Sequence, residues 1–183
     1  MIERVIIAGA GGQGIMLLGK VLAEAAMDEN KRVTWLPSYG AEVRGGTANC
    51  MVVISDEDIG SPFINIADSL IIMNEPSLSR FAGRVKDTGV LVVNGSLVKG
   101  DIKTKAKVLK FGFTELANSL GNPKVANMVA LGCFLAETKL IDLKSVVGVF
   151  EKYAPKNKKE LVLVNKNALL SGAGLVTKNL KGR

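Results

Sequence analysis

Six residues, Gly9 to Gly14 (GAGGQG), stand directly behind the apolar run RVIIA. Gly9, Gly11 and Gly14 match the spacing G-x-G-x-x-G, with Gly12 and Gln13 between them. A turn of this kind lets the backbone bend where a Cβ would clash, and it aims free helix-terminal amides at an anion. A dinucleotide site asks for one thing more, an acid about 20 residues on at the tip of the second strand to hold a ribose hydroxyl. Here that strand runs out as TWLPSYG, with Glu29 before it and Glu42 well into the next loop. The loop therefore reads as an anion site or a structural turn rather than as an NAD or FAD fingerprint. Gln13 is expected to offer its amide at the mouth.

A second candidate stretch, SYGAEVRGGTANC, runs from Ser38 to Cys50. Arg44 is able to take a carboxylate or phosphate with two parallel bonds, Glu42 to pair with a cation or orient Arg44, and Tyr39 to offer a ring with a hydroxyl. Gly45 and Gly46 let the chain turn tightly behind Arg44, and Thr47 opens the following strand. An internal Glu42–Arg44 ion pair that merely pins the loop is the alternative. Asn127, in the late stretch NMVALG, is placed to reach the same crevice, or else is an ordinary polar helix position. Cys50 and Cys133 read as small buried residues, Cys50 being the one to test for thiol reactivity, and Met16, Met27, Met51 and Met73 read as core fillers.

These residues need a scaffold, and the hydrophobic periodicity supplies one. Glu3 to Ala8 reads as a strand; Gly12 to Met27 reads as a helix with Ile15, Leu18, Val21, Leu22 and Ala25 on one face. Further strands are expected at Lys31 to Leu36, Thr47 to Asp56, Asp68 to Asn74, Gly89 to Gly95 and in KVLKFGF. A crossover helix is expected in EPSLSRFAGRV, where Pro76 suits a first turn. Three more helices follow, punctuated by Gly121, Pro123 and Asp142, and a last one runs from Lys156 to about Lys178. Alternating lysines at 103, 105 and 107 mark a sheet edge. The expectation is a single α/β domain over residues 1–183, a Rossmann-like three-layer sandwich with a mostly parallel sheet and both candidate loops at its carboxyl edge.

Composition narrows the chemistry. The 183 residues contain no His and two Cys, so a structural zinc or an iron–sulfur cluster lacks its ligands here, and the commonest general base is absent. The start MIERVIIAG enters a strand at once, with neither a signal-peptide pattern nor a membrane span, so a cytoplasmic, non-membrane protein is expected. The net charge of +7 is concentrated near the end, where Glu151 onward holds eight basic residues against two acids. Stacking aromatics are missing there, which favours a solvated helix face and tail over a nucleic-acid surface. A stand-alone reductase would place Trp35 near the crevice, within reach of a nicotinamide.

The motifs GAGGQGI, PSYGAEVRGGTANC, VVISDEDIGSP and NMVALG, spread over residues 1 to 135, together resemble the gamma subunit of 2-oxoacid:ferredoxin oxidoreductases. The second loop is more similar to the 2-oxoglutarate and branched-chain oxoacid enzymes than to the pyruvate or indolepyruvate ones. The resemblance implies a multi-subunit enzyme that decarboxylates a 2-oxoacid, makes acyl-coenzyme A and reduces ferredoxin. It also implies that thiamine diphosphate and magnesium sit on alpha and beta subunits, and iron–sulfur clusters on the beta and ferredoxin-like delta subunits, with none of these cofactors bound by this chain alone. In that setting the two loops dock on the thiamine-binding subunits or, as a second reading, help enclose coenzyme A; no catalytic residue is expected in this chain, and the isolated subunit is free to form a homodimer.

Overall fold

A computed structural model describes residues 1–39, 47–154 and 159–181, of which residue 39 and residues 178–181 are described by their backbone only. Chain order runs β1 (Ile2–Ala10), α1 (Ile15–Asp28), β2 (Arg32–Tyr39), β3 (Thr47–Ser55), β4 (Ala67–Ile72), α2 (Glu75–Phe81), β5 (Val85–Asn94), β6 (Lys107–Phe111), α3 (Phe113–Ser119), α4 (Ala126–Thr138), α5 (Leu143–Tyr153) and α6 (Lys159–Lys181). One-turn 3-10 segments at Ala82–Arg84 and Pro123–Val125 lead into β5 and α4.

The six strands form one sheet in the order β2-β3-β1-β4-β5-β6. β1, β4, β5 and β6 run parallel, whereas β3 is antiparallel to both β1 and β2, so the sheet is mostly parallel with one reversed strand. That reversal makes β2 and β3 neighbours in a hairpin arrangement. Two consecutive reversals leave β2 pointing the same way as β1.

Strand faces alternate into two separate cores, as the twofold period of a strand requires. Val5 and Ile7 of β1, Cys50, Val52 and Ile54 of β3, Ile71 and Val92 face a thick layer of α1, α3, α4, α5 and α6. Ile6 and Ala8, Met51 and Val53, Leu70, Ile72, Leu91 and Val93 face the other side, which α2 covers through Leu78 and Phe81 with help from Ile64, Val98 and Ala106 in loops. Because β1 lies between helices on both faces, Val5 to Ala8 are fully buried, which explains the unbroken apolar run.

Every residue of α4 from Ala126 to Leu135 is buried, because α4 has the sheet on one side and α6 on the other. Gly132 and Gly172 allow this close crossing. A Cβ on Gly132 would run into the Leu169 carbonyl, and one on Gly172 into the Val129 carbonyl.

Several element boundaries differ from the sequence expectation. α1 begins at Ile15, three residues later than Gly12, since Gly12 (φ 90°) and Gly14 (φ 71°) are both left-handed and the helix can only start beyond them. β5 starts at Val85, earlier than Gly89, where Ala67 and Val85 pair ahead of a register shift. The layer on the second face is one seven-residue helix and loops rather than a full helical layer. Met27 is 48% exposed and does not fill the core, while Met51 and Met73 do. Of the lysines expected to mark an edge, Lys107 is exposed on the outer strand β6, while Lys103 and Lys105 are exposed in the loop that leads into it.

Candidate site at the carboxyl rim of the sheet

The register brings the two candidate loops to one rim. Ala48 of β3 pairs with Gly9 of β1 on one side and Tyr39 of β2 on the other, so both loops leave the sheet abreast. The glycine loop also lies at the switch point between β1 and β4, where the chain departs to opposite sides and α/β sheets open a crevice.

The loop is stitched by its own side chains. Gln13 Oε1 accepts from the Ala10 amide at 2.7 Å and Gln13 Nε2 donates to the Met73 carbonyl at 3.2 Å, tying β1 to the end of β4. Gly9 makes room for this, as a Cβ there would stand 2.6 Å from Gln13 Oε1 and 2.9 Å from Met73 Cβ. Gln13 is therefore a strut inside the fold instead of an open amide at the mouth. The Met73 amide in turn donates to the Ala8 carbonyl at 2.8 Å.

Asn127 lies under the same loop. It is 2% exposed, in the first turn of α4, and its Nδ2 donates to the Gly14 carbonyl at 3.1 Å. Its Oδ1 accepts from the Met128 amide at 2.9 Å. A Cβ on Gly14 would collide with the Asn127 amide, so the Gly14 and Asn127 positions fit each other. Gly12, by contrast, has open space where a Cβ would point.

Asn94, at the end of β5, is a rim residue the sequence reading passed over. It is fully buried, donates to Thr114 Oγ1 at 2.9 Å, and accepts from the amides of Ser96 and Thr114 at 3.3 and 3.4 Å. The signal was available: an Asn closing an apolar strand as VVNG has to satisfy its amide somewhere. Beside them is a crevice of about 180 Å³ lined by Gly12, Gln13, Met73, Leu97, Thr114 and Lys124 among others. Binding pockets for small molecules usually measure about 300–1,000 Å³. The crevice holds one ammonium, one hydroxyl and no carboxylate, too little for acid–base work.

Of the second loop, Glu42, Arg44, Gly45 and Gly46 lie outside the described residues, as does the side chain of Tyr39. Ser38 and Thr47, at its two ends, belong to the second face of the sheet and not to the crevice. Ser38 lines a cavity of about 410 Å³ there. Thr47 Oγ1 accepts from Arg80 Nη1 at 3.0 Å.

The burial expected of both thiols is borne out, and the placement expected of Trp35 is corrected. Cys50 is fully buried, donating weakly to the Ile15 carbonyl at 3.7 Å, and burial pushes its thiol up to about 12, so it has no thiolate to react with. Cys133 is buried likewise, and burial lifts it to about 12 as well. Trp35 is four positions back from the strand end and packs over Gly19, where a Cβ would meet its Nε1 at 3.0 Å. It does not border the crevice, because Trp35 faces α1.

Among the described residues no group of three or more His, Cys, Asp or Glu is arranged to hold a metal ion, and no helix is long and apolar enough to cross a membrane.

Comparison with known proteins places the fold and the loops in a family. Residues 4–175 match the pyruvate ferredoxin/flavodoxin oxidoreductase family. The ketoisovalerate oxidoreductase subunit VorA of Methanothermobacter marburgensis is 34% identical over 186 residues, covering 98% of this chain and 37% of that protein. The chain thus spans little more than a third of that relative. The 2-oxoglutarate synthase subunit KorC of Methanocaldococcus jannaschii is 34% identical over 164 residues, covering 87% of this chain and 88% of KorC. The crystal structure of the keto/oxoacid ferredoxin oxidoreductase gamma subunit from Geobacter sulfurreducens PCA superposes with a TM-score of 0.83 at 29% identity, covering 96% of this chain and 99% of that one. With its glycine loop, its paired rim and nearly its whole length accounted for by these likenesses, this chain belongs to the pyruvate ferredoxin/flavodoxin oxidoreductase family.

Proposed function

We propose that residues 1–183 act as one gamma-type domain of a 2-oxoacid:ferredoxin oxidoreductase, an assembly that decarboxylates a 2-oxoacid, forms its acyl-coenzyme A and passes the electrons to ferredoxin. In this reading the chain is inactive alone. Its carboxyl rim docks on the thiamine-binding alpha and beta subunits, and a ferredoxin-like delta subunit completes the complex. Thiamine diphosphate, magnesium and the iron–sulfur clusters reside in those partners. The absence of His from the sequence and the burial of both Cys support that division.

The observation that carries the docking role is the narrow, internally braced crevice beside the glycine loop. Gln13 ties the Ala10 amide to the Met73 carbonyl, Asn127 holds the Gly14 carbonyl, and the crevice beside them is only about 180 Å³. A rim braced in this way, with Leu97 exposed beside it at 45%, is built to be covered. The names of the relatives, subunits of ketoisovalerate oxidoreductase and 2-oxoglutarate synthase, fit a branched-chain or dicarboxylic 2-oxoacid as substrate of the assembly.

Coenzyme A at the same rim is the second reading. It is favoured by the open face of Gly12 and by Lys124, which together suit one phosphate. The crevice alone has no room for the whole molecule, so partner chains would supply the rest of the enclosure.

Affinity purification of the tagged chain from native extract tests the assembly. Recovery of thiamine-binding chains with 2-oxoacid- and coenzyme A-dependent reduction of ferredoxin is the expected result. A preparation that stays free of such chains, or a complex whose activity is unchanged when this chain is left out, overturns the reading. Calorimetric titration of the purified complex with coenzyme A, comparing wild type with Lys124→Gln, tests the second reading.

A further inference from the structure

On the second face of the sheet, where β2 and β3 have no helix above them, the 410 Å³ cavity holds a group of residues that the rim does not use. Its volume falls in the range of ligand pockets, about 300–1,000 Å³. Two arginines line it. Arg84 is anchored, with Nε donating to the Asn65 carbonyl at 2.9 Å and Nη2 to the Ile64 carbonyl, and its guanidinium stands 5.8 Å from the Phe63 ring centre and 5.6 Å from that of Phe81. Arg80 lies 5.2 Å from the same Phe81 ring and is held by its single bond to Thr47. Both cations are therefore gathered around one buried aromatic ring.

Among the described residues the charged lining is positive only. No carboxylate lines the cavity, and neither arginine has an ion-pair partner among the described residues. A guanidinium carries five N–H donors, so each arginine keeps donors beyond those already placed. Asn49 adds a polar side chain 5% exposed that lines the cavity and makes no hydrogen bond among the described residues. Ser38 adds a hydroxyl at the opening. Phe63, 61% exposed, leaves an apolar wall beside the cations. An anion entering the cavity takes N–H bonds from the planar guanidinium forks, in parallel where the geometry is bidentate.

We propose that this cavity is an anion-binding site, taking a phosphate or carboxylate group of a small molecule against Arg80 and Arg84, with Asn49 as a further hydrogen-bonding group and Phe63 alongside. The site is separate from the crevice at the glycine loop and does not rest on the subunit reading.

Calorimetry on the full chain with inorganic pyrophosphate and, separately, with succinate tests it. Saturable binding of either is expected, the phosphate-only or carboxylate-only outcome identifying which source the site prefers. Arg80→Gln is expected to weaken it about tenfold or more, since hydrogen bonds to charged groups carry that much. Urea unfolding of Arg80→Gln in the absence of ligand checks that the fold is intact, and Arg80→Lys, which keeps the charge and loses the fork, is expected to bind with intermediate affinity. Lys124→Gln, at the other crevice, is expected to leave binding unchanged. Absence of saturation with both anions up to millimolar concentration overturns the proposal. So does binding that survives Arg80→Gln or that is abolished by Lys124→Gln instead.

Discussion

Gly14 and Asn127, separated by more than a hundred positions in the chain, act as one unit. Gly14 is left-handed at φ 71°, a conformation that costs an L-residue about 1–2 kcal/mol, and its Cα faces the Asn127 amide. Gly14→Ala is therefore expected to lower unfolding free energy by more than that backbone cost, and Asn127→Ala by about 0.5–1.5 kcal/mol for one lost hydrogen bond, since the Gly14 carbonyl still accepts the Leu18 amide. Urea denaturation midpoints check both, with Gly12→Ala as the comparison: it carries the φ penalty alone, since open space lies where its Cβ would point. The two thiols make a separate statement. Because burial holds Cys50 and Cys133 protonated up to about 12, while in the unfolded chain they ionise near the ordinary thiol value, folding binds more protons than unfolding in that interval. Their contribution to stability is full below the ordinary thiol range and is lost as pH rises toward 12. Native protein is expected to resist labelling by a thiol-disulfide reagent at neutral pH and to react at both positions once unfolded in urea.

At the level of elements, α4 and α6 cross with their backbones in close approach. Helix backbones approach this tightly only where small residues leave the space, and both contact points are glycines set against opposing carbonyls. Gly132→Ala and Gly172→Ala are each expected to cost about 1–3 kcal/mol, because the added methyl has only backbone to push against. Circular dichroism melts check this, and the double variant is expected to show non-additivity, as the two sites share one interface. Gly148→Ala, in α5 with open space around it, is the control and is expected to be neutral or stabilising. The α4–α6 crossing also bears on the rim, since Asn127 is carried on the first turn of α4. Loosening that crossing is expected to loosen the glycine loop.

The whole molecule is lopsided. Among the described residues, five helices lie over one face and a single short helix over the other, with the two loops leaving the sheet at one edge. Such a shape suits a component that is covered at its rim by partners. Leu97→Asp puts a charge beside the crevice in place of an exposed apolar side chain, and it is expected to abolish co-purification of the partner chains while leaving the isolated fold unchanged. Arg44→Ala, in the second loop, is expected to weaken assembly, truncation of a buried interfacial charge costing roughly 2–5 kcal/mol. Size-exclusion chromatography of the reconstituted mixture reads both; assembly indifferent to either change would remove the rim from the interface.

The alternating apolar pattern, the glycine spacing and the missing ribose acid are local properties, and they were enough to set an α/β sheet, to put both loops at its carboxyl edge and to argue against a dinucleotide. β1 and β4 show this best, since a strand buried on both faces has no choice but to be apolar throughout. What Gln13, Ser38 and Trp35 do could not be read that way. Whether a side chain faces a crevice, braces a loop or sits under a helix depends on strand register and on which element crosses above it, and these are set by contacts between residues far apart in the chain. The same reason hid Asn94 and the pairing of Arg80 with Arg84 around Phe81: only a folded sheet, with its second face left thinly covered, brings them together.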